Sequence, residues 1–268
     1  EWWMSWVLSL LPLYGGALPI AWLVLRRIPT TPHNQDFICR GAAVEKPPFH
    51  LGHFLLLLII AFGCMTAGGL VGNIVMALLS SFMDYDYANA LNTIVEQSPL
   101  WATFLGTCIC APLGEELLFR KLLIDRTRRY GDLPSILLSG LLFGLFHGKL
   151  LQTPYAVLMG LLFGYVTVEY SLVWSIALHM FNNLVLADLL ARLTASWPEM
   201  AYGALNLLLF GGSALLSLGI LIKNRSGIRS YRQGEWMDRR CVRCFFTSPG
   251  ILIMMAVLGI LMATMFLT

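Results

Sequence analysis

Long apolar runs broken by short polar stretches make up most of this chain. A membrane span needs about 20 apolar residues, within a range of roughly 17–25. The runs mark eight candidate spans, at residues 2–25, 53–82, 99–124, 133–150, 154–169, 171–193, 200–222 and 249–268. The second is long enough to bend or to begin as an interfacial helix, and the fourth and fifth are short enough to need shielding by neighbours. The polar stretches hold helix-start signals. Ser98-Pro99, Thr153-Pro154 and Ser248-Pro249 each set a capping hydroxyl before a proline suited to the first helical position, and Asp132 is placed to cap the fourth run. The first run has no basic flank before it and no small-residue cleavage site after it, so it reads as a span rather than a signal peptide. No tandem repeat and no second domain emerges. The expectation is one all-α, polytopic membrane domain over residues 1–268.

The loops add orientation. Arg26, Arg27 and Arg40 follow the first run, Lys121, Arg126, Arg128 and Arg129 the third, and Lys223, Arg225, Arg229, Arg232, Arg239, Arg240 and Arg243 the seventh. The alternate loops hold Asp84, Asp86, Lys149 and Glu199. With eight spans, all three basic loops fall on one side, which the positive-inside rule makes cytoplasmic, and both termini fall outside. Composition agrees with a lipid environment. Of 268 residues, 57% are hydrophobic and only 12% charged, with mean hydropathy +0.72, against about 25% charged in soluble domains. A net charge of +3 is too small to suggest nucleic acid as a partner. Three of the six cysteines, Cys64, Cys108 and Cys110, lie in apolar runs, where a thiol acts as a small hydrophobe, so no disulfide framework is implied. Stripes of small residues, Gly68/Gly72, Gly140/Gly144/Gly148 and Gly160/Gly164, mark close helix contacts. The second stripe runs near the face holding His147.

Against this background Ala111–Arg120, reading APLGEELLFR, is conspicuous, because it sets Glu115, Glu116 and Arg120 inside an apolar run. Ionisable residues are costly in a bilayer and usually mark a functional site. Glu116 and Arg120, four apart, are spaced as a same-face ion pair, which leaves Glu115 for another partner. Pro112 removes a backbone hydrogen bond just before it and loosens the helix. The chain turns near Gly131, with Glu115 sixteen residues before the turn and His147 sixteen after it. Equal rise per residue brings both to one height. The sixth run adds His179, with Asn183 one turn on along the same face. A Glu and a His at one level suit general-base activation of water, and a second His with an Asn suits donation to a developing oxyanion. Together they describe hydrolysis of an amide or ester without a covalent intermediate. Ser139 and Ser175 have no base at helical spacing, and nothing in the sequence activates Cys108.

The set Glu115-Glu116-x-x-x-Arg120, Phe143-x-x-x-His147 and His179-x-x-x-Asn183 resembles the motifs of the CAAX protease and bacteriocin-processing family, also called the Abi family, over about residues 98–190. The resemblance implies an eight-helix intramembrane endopeptidase in a bacterial plasma membrane. It further implies that Glu115 and His147 activate the water, that His179 and Asn183 form the oxyanion site, and that Glu116 and Arg120 support them. The substrate implied is a peptide or membrane protein rather than necessarily a prenylated one. Two other readings fit the same residues. One is a zinc-dependent protease with Glu115, His147 and His179 as ligands, in place of a cofactor-free site. The other is a non-catalytic scaffold or proton-coupled transporter, which the lack of an internal repeat disfavours. Cys241-x-x-Cys244, with Cys39 and His33, has the ligand types of a structural zinc site but reads more simply as reduced loop thiols. His50 and His53 read as interfacial.

Overall fold

The structure, a computed structural model, describes residues 2–30, 50–80, 98–185, 190–234 and 239–264. Cys39 and His33 lie outside these residues. Every described element is helical. In chain order they are α1 (residues 2–25), α2 (Leu51–Ser80), α3 (Leu100–Tyr130), α4 (Asp132–Phe146), α5 (Thr153–Glu169), α6 (Leu172–Asn183), α7 (Leu190–Thr194), α8 (Glu199–Lys223), α9 (Arg225–Gly234), α10 (Arg239–Phe246) and α11 (Pro249–Thr264). Four segments are long and apolar enough to cross a membrane: Trp6–Leu25, Leu51–Leu78, Leu100–Tyr130 and Glu199–Lys223. Asp132–Phe146, Thr153–Glu169 and Pro249–Ile260 are apolar but shorter. A helix thus stands in each of the eight runs. Within the sixth run the structure describes α6 and α7, and residues 186–189 lie outside the described residues.

Several local expectations need correction. Thr153 is the first residue of α5 rather than its cap, and its hydroxyl donates back to the Lys149 carbonyl at 2.9 Å. Pro99, in an extended conformation, is the N-cap of α3, while the Ser98 hydroxyl accepts the Trp6 indole N–H at 2.8 Å. Asp132 does not cap α4. Its carboxylate takes a two-pronged grip from Arg128, at 2.7 and 3.0 Å, across the turn. A capping hydroxyl is most useful where backbone N–H groups are orphaned, but a carboxylate beside an arginine gains more from the charge-assisted pair. Ser248 does accept the Ile251 N–H, at 3.5 Å, and Ser171, not foreseen, caps α6.

The α3–α4 hairpin turns at Gly131 as expected, with φ of 118°, a value open to glycine alone without strain. α4 and α5 pack along their lengths, α2 also packs on α5, and α8 on α2. Glycine allows the first contact. A Cβ on Gly160 would sit 2.8 Å from the Gly140 Cα and 3.0 Å from the Gly140 carbonyl oxygen, so the two backbones meet with no room for a side chain. Gly160→Val is therefore expected to destabilise by roughly 1–3 kcal/mol or more, the usual cost of overpacking. Gly69→Val, where nothing lies within 4 Å, is the control, and thermal unfolding in detergent reads both. A Gly160→Val protein as stable as the Gly69→Val control would show that these helices are not in close contact.

Candidate functional site

α3 does not run as a uniform α-helix. Phe104–Cys110 and Leu117–Ile124 are wound as wider π-turns, with only Ala111–Glu116 in α geometry between them. Pro112 has no N–H to give to the turn before it, and the widened turn lies directly ahead of it. Such π segments inside helices cluster at functional sites. Glu115 and Glu116 stand at the end of the short α segment.

Glu116 is fully buried and surrounded by partners. Its Oε1 lies 3.3 Å from Arg120 Nη1 and accepts from His179 Nδ1 at 3.0 Å. Its Oε2 accepts from the Ser175 hydroxyl at 2.7 Å. Ser175 also lies 3.0 Å from the Phe163 carbonyl, but it has one proton, and the shorter, charge-assisted bond takes it. Arg120, also fully buried, donates from Nη2 to the Gly160 carbonyl at 3.1 Å. Its guanidinium lies 4.5 Å from the Phe143 ring centroid and 5.5 Å from that of Phe163, where the ring faces attract a cation. The pair expected from i, i+4 spacing is thus present, and it is the hub that ties α3 to α5 and α6.

His179 stacks on Phe163 with centroids 4.5 Å apart and planes 24° apart. With Nδ1–H given to Glu116, its Nε2 points toward Glu115, 3.7 Å from Oε2. That separation is ion-pair range rather than a hydrogen bond. His147 lies at the end of α4, which stops at Phe146, short of the 133–150 expected for the fourth run. It is the C-cap residue, and Gly148 after it takes φ of 66°, the left-handed residue that commonly ends a helix. His147 Nδ1 is 2.8 Å from the Phe143 carbonyl oxygen. A carbonyl can only accept, so Nδ1 bears the proton and the neutral ring keeps the Nε2 lone pair free. Asn183 donates from Nδ2 to the Thr107 carbonyl, in the π segment of α3, at 2.9 Å. Its amide keeps a second N–H.

Glu115, His147, His179 and Asn183 all line one cavity of about 550 Å³, a usual size for a ligand site. Its walls are mostly apolar, with Trp6, Leu10 and Leu13 of α1 on one side and Phe143, Met159 and Phe163 on the other. Sequence reasoning missed three contributors. The wall from α1 has no ionisable residue to draw notice, only Ser9 among apolar side chains. Ser175 was set aside for want of a base at helical spacing, although His179 stands four residues on, and its hydrogen-bond partner Glu116 lies on another helix. Asn182, beside Asn183, is buried in the cavity wall, and among the described residues its Oδ1 has no hydrogen-bond partner. Among the described residues, no three His, Cys, Asp or Glu side chains are grouped closely enough to hold a metal ion. The set Glu115, His147 and His179 shares a cavity without forming such a group.

Comparison with known proteins gives a match at the level of a family. The family described as type II CAAX prenyl endopeptidase, Rce1-like, matches residues 97–185, about a third of the chain. Neither a curated protein nor a solved structure matches. The matched segment begins at α3 and takes in all three motifs and the cavity residues of α3, α4, α5 and α6, and it supports a peptidase in a membrane. Residues 97–185 are thus similar to the CAAX prenyl endopeptidase family, and this stretch holds Glu115-Glu116-x-x-x-Arg120, His147 and His179-x-x-x-Asn183, the residues whose pattern resembles the CAAX protease motifs.

Proposed function

We propose that this chain is an intramembrane endopeptidase that hydrolyses a peptide bond of a membrane-associated peptide or protein, with water as the nucleophile and no metal. The observation that supports it most is the convergence of Glu115, His147, His179 and Asn183 from three helices on one apolar-walled cavity. Glu115 and His147 Nε2 are the bases, the second freed for the task by the Nδ1 bond to Phe143. Water attacks the scissile carbonyl as they take its proton, which then passes to the leaving amine. The charge that develops on the carbonyl oxygen is met by His179, which acts as an imidazolium with Nδ1–H on Glu116 and Nε2–H on the oxyanion and keeps both protons through the step, and by the spare N–H of Asn183. Glu116 holds Nδ1–H of His179 and so fixes the ring's orientation, the part a buried carboxylate plays toward a catalytic histidine elsewhere. Ser175 is not the nucleophile in this scheme, since its proton and its lone place in the packing are given to Glu116.

The chain is read as one membrane domain of eight helices, with residues 223–247 on the cytoplasmic side because seven Lys and Arg residues crowd there. Arg126 donates to the Leu25 carbonyl at 2.8 Å, so the ends of α1 and α3 meet, as alternate crossing requires.

The broad test is a mass-spectrometric screen for peptides released from membranes containing wild type or Glu115→Gln. Peptides released by wild type alone support the reading, and identical peptide sets refute it. A second prediction separates metal-free from zinc chemistry. Loss of an oxyanion donor removes about 10²–10³ in kcat, so His179→Ala should lower kcat by that order with little change in KM. Purified wild type should keep its activity in a strong chelator. One equivalent of zinc by elemental analysis, lost together with activity in His179→Ala, would favour the zinc protease instead.

A further inference from the structure

A second cavity, of about 270 Å³, lies away from the candidate active site, among α2, α5, α8 and α9. Most of its wall is apolar, from Leu57, Ile60, Leu162, Ile220, Leu221 and Ile228. Leu221 and Ile228 are also exposed on the outside of the bundle, so the cavity opens outward toward lipid, not inward to the core. Its remaining wall is polar and aromatic, with His53, Tyr165, Tyr170 and Asn224. These residues sit at helix ends. His53 is in the first turn of α2, Tyr170 is the C-cap of α5 and Asn224 is the C-cap of α8. Three ends of apolar helices therefore meet at one level with tyrosines among them, the composition of a membrane–water interface.

α9 starts at this level and is strongly amphipathic in sequence, RSGIRSYRQG. Asn224 and Ile228, one turn apart, face the cavity. Arg225 and Arg229, each the next residue along, form the neighbouring stripe and are exposed. Apolar space for a chain and two cations at its interfacial rim are the two halves of a phospholipid site. Basic pockets between membrane helices bind anionic headgroups, and arginine holds a phosphate in two-pronged fashion.

We propose that this cavity, with Arg225 and Arg229, binds one anionic phospholipid, an acyl segment in the cavity and the headgroup phosphate on the arginines. The volume, just under the roughly 300–1,000 Å³ of typical ligand pockets, admits part of one chain and leaves the rest in the bilayer. The site is independent of the peptidase reading, since none of its residues lines the first cavity.

The test uses the full chain in bilayers of equal phosphatidylglycerol and phosphatidylcholine, with retained lipid measured by native mass spectrometry. Wild type should retain one phosphatidylglycerol per chain in preference to phosphatidylcholine. Each charge lost should weaken retention about fivefold, so the double variant Arg225→Gln/Arg229→Gln should weaken it about 25-fold. Ile228→Trp, which fills the cavity and keeps both charges, should lower retention as well, with thermal unfolding confirming that both variants fold. No retained lipid, equal retention of phosphatidylcholine, or retention of phosphatidylglycerol that survives either variant overturns the proposal.

Discussion

Glu115→Gln is expected to abolish measurable peptide hydrolysis while the protein folds and binds substrate as wild type does. Removing a general base lowers the rate by about 10²–10⁴-fold. The upper part of that range applies if His147 alone cannot take the proton from water. The substitution preserves volume, and Glu115 keeps only a 3.7 Å approach to His179 rather than a hydrogen bond, so little structure depends on its charge. The loss should fall on kcat with KM near wild type, the signature of an interaction used in the transition state. A thermal unfolding curve alongside the kinetics separates this from misfolding. Cleavage by Glu115→Gln within a few-fold of wild type would remove the residue from the mechanism.

The second large effect is on stability. Arg120→Met should destabilise the fold by about 3–5 kcal/mol, the cost of leaving one member of a buried ion pair alone. For a chain of this size that is a fall in Tm of about 6–20 °C. Glu116 would then be a fully buried carboxylate whose remaining partners, Ser175 and His179, are hydrogen-bond donors with no fixed positive charge opposite. Adding Glu116→Gln to Arg120→Met should recover part of the loss, because the orphaned charge goes with it. The double variant should be clearly less destabilised than the sum of the singles. Additive losses would mean that the two side chains, though 3.3 Å apart, do not interact energetically.

The features legible in the sequence were those with a one-dimensional cause. A run of apolar residues marks a helix wherever it lies, the four-residue step from Glu116 to Arg120 sets them on one face, and a glycine between two helices marks the turn at Gly131. Equal arm lengths from that turn brought Glu115 and His147 to the same cavity. Features that depend on how one helix is rotated against another were not legible. Ser175 finds Glu116 across 59 residues of sequence, and Asn183 spends one N–H on the Thr107 carbonyl. The π-turns on both sides of Ala111–Glu116 alter the rotation of α3 by an amount that no apolar periodicity records. The end of α4 was missed for a simpler reason. Residues up to Leu150 read as apolar, and the left-handed Gly148 that stops the helix looked like one more member of the small-residue stripe. Asp132 was assigned the cap because the sequence places it at the right position, whereas the competing attraction of Arg128 is a contact of the folded turn.

The most direct test of the central claim, that Glu115 and His147 act on one water, is a double-mutant cycle. It compares kcat/KM for purified wild type, Glu115→Gln, His147→Ala and the double variant on one peptide substrate. Residues that work as a unit are strongly non-additive, since losing either already disables the step. The double variant should be no slower than the slower single, within a few-fold. A double variant slower by the product of the two single effects, roughly 10⁴-fold or more below wild type if each single costs about 10²-fold, would show two independent contributions and contradict the shared water.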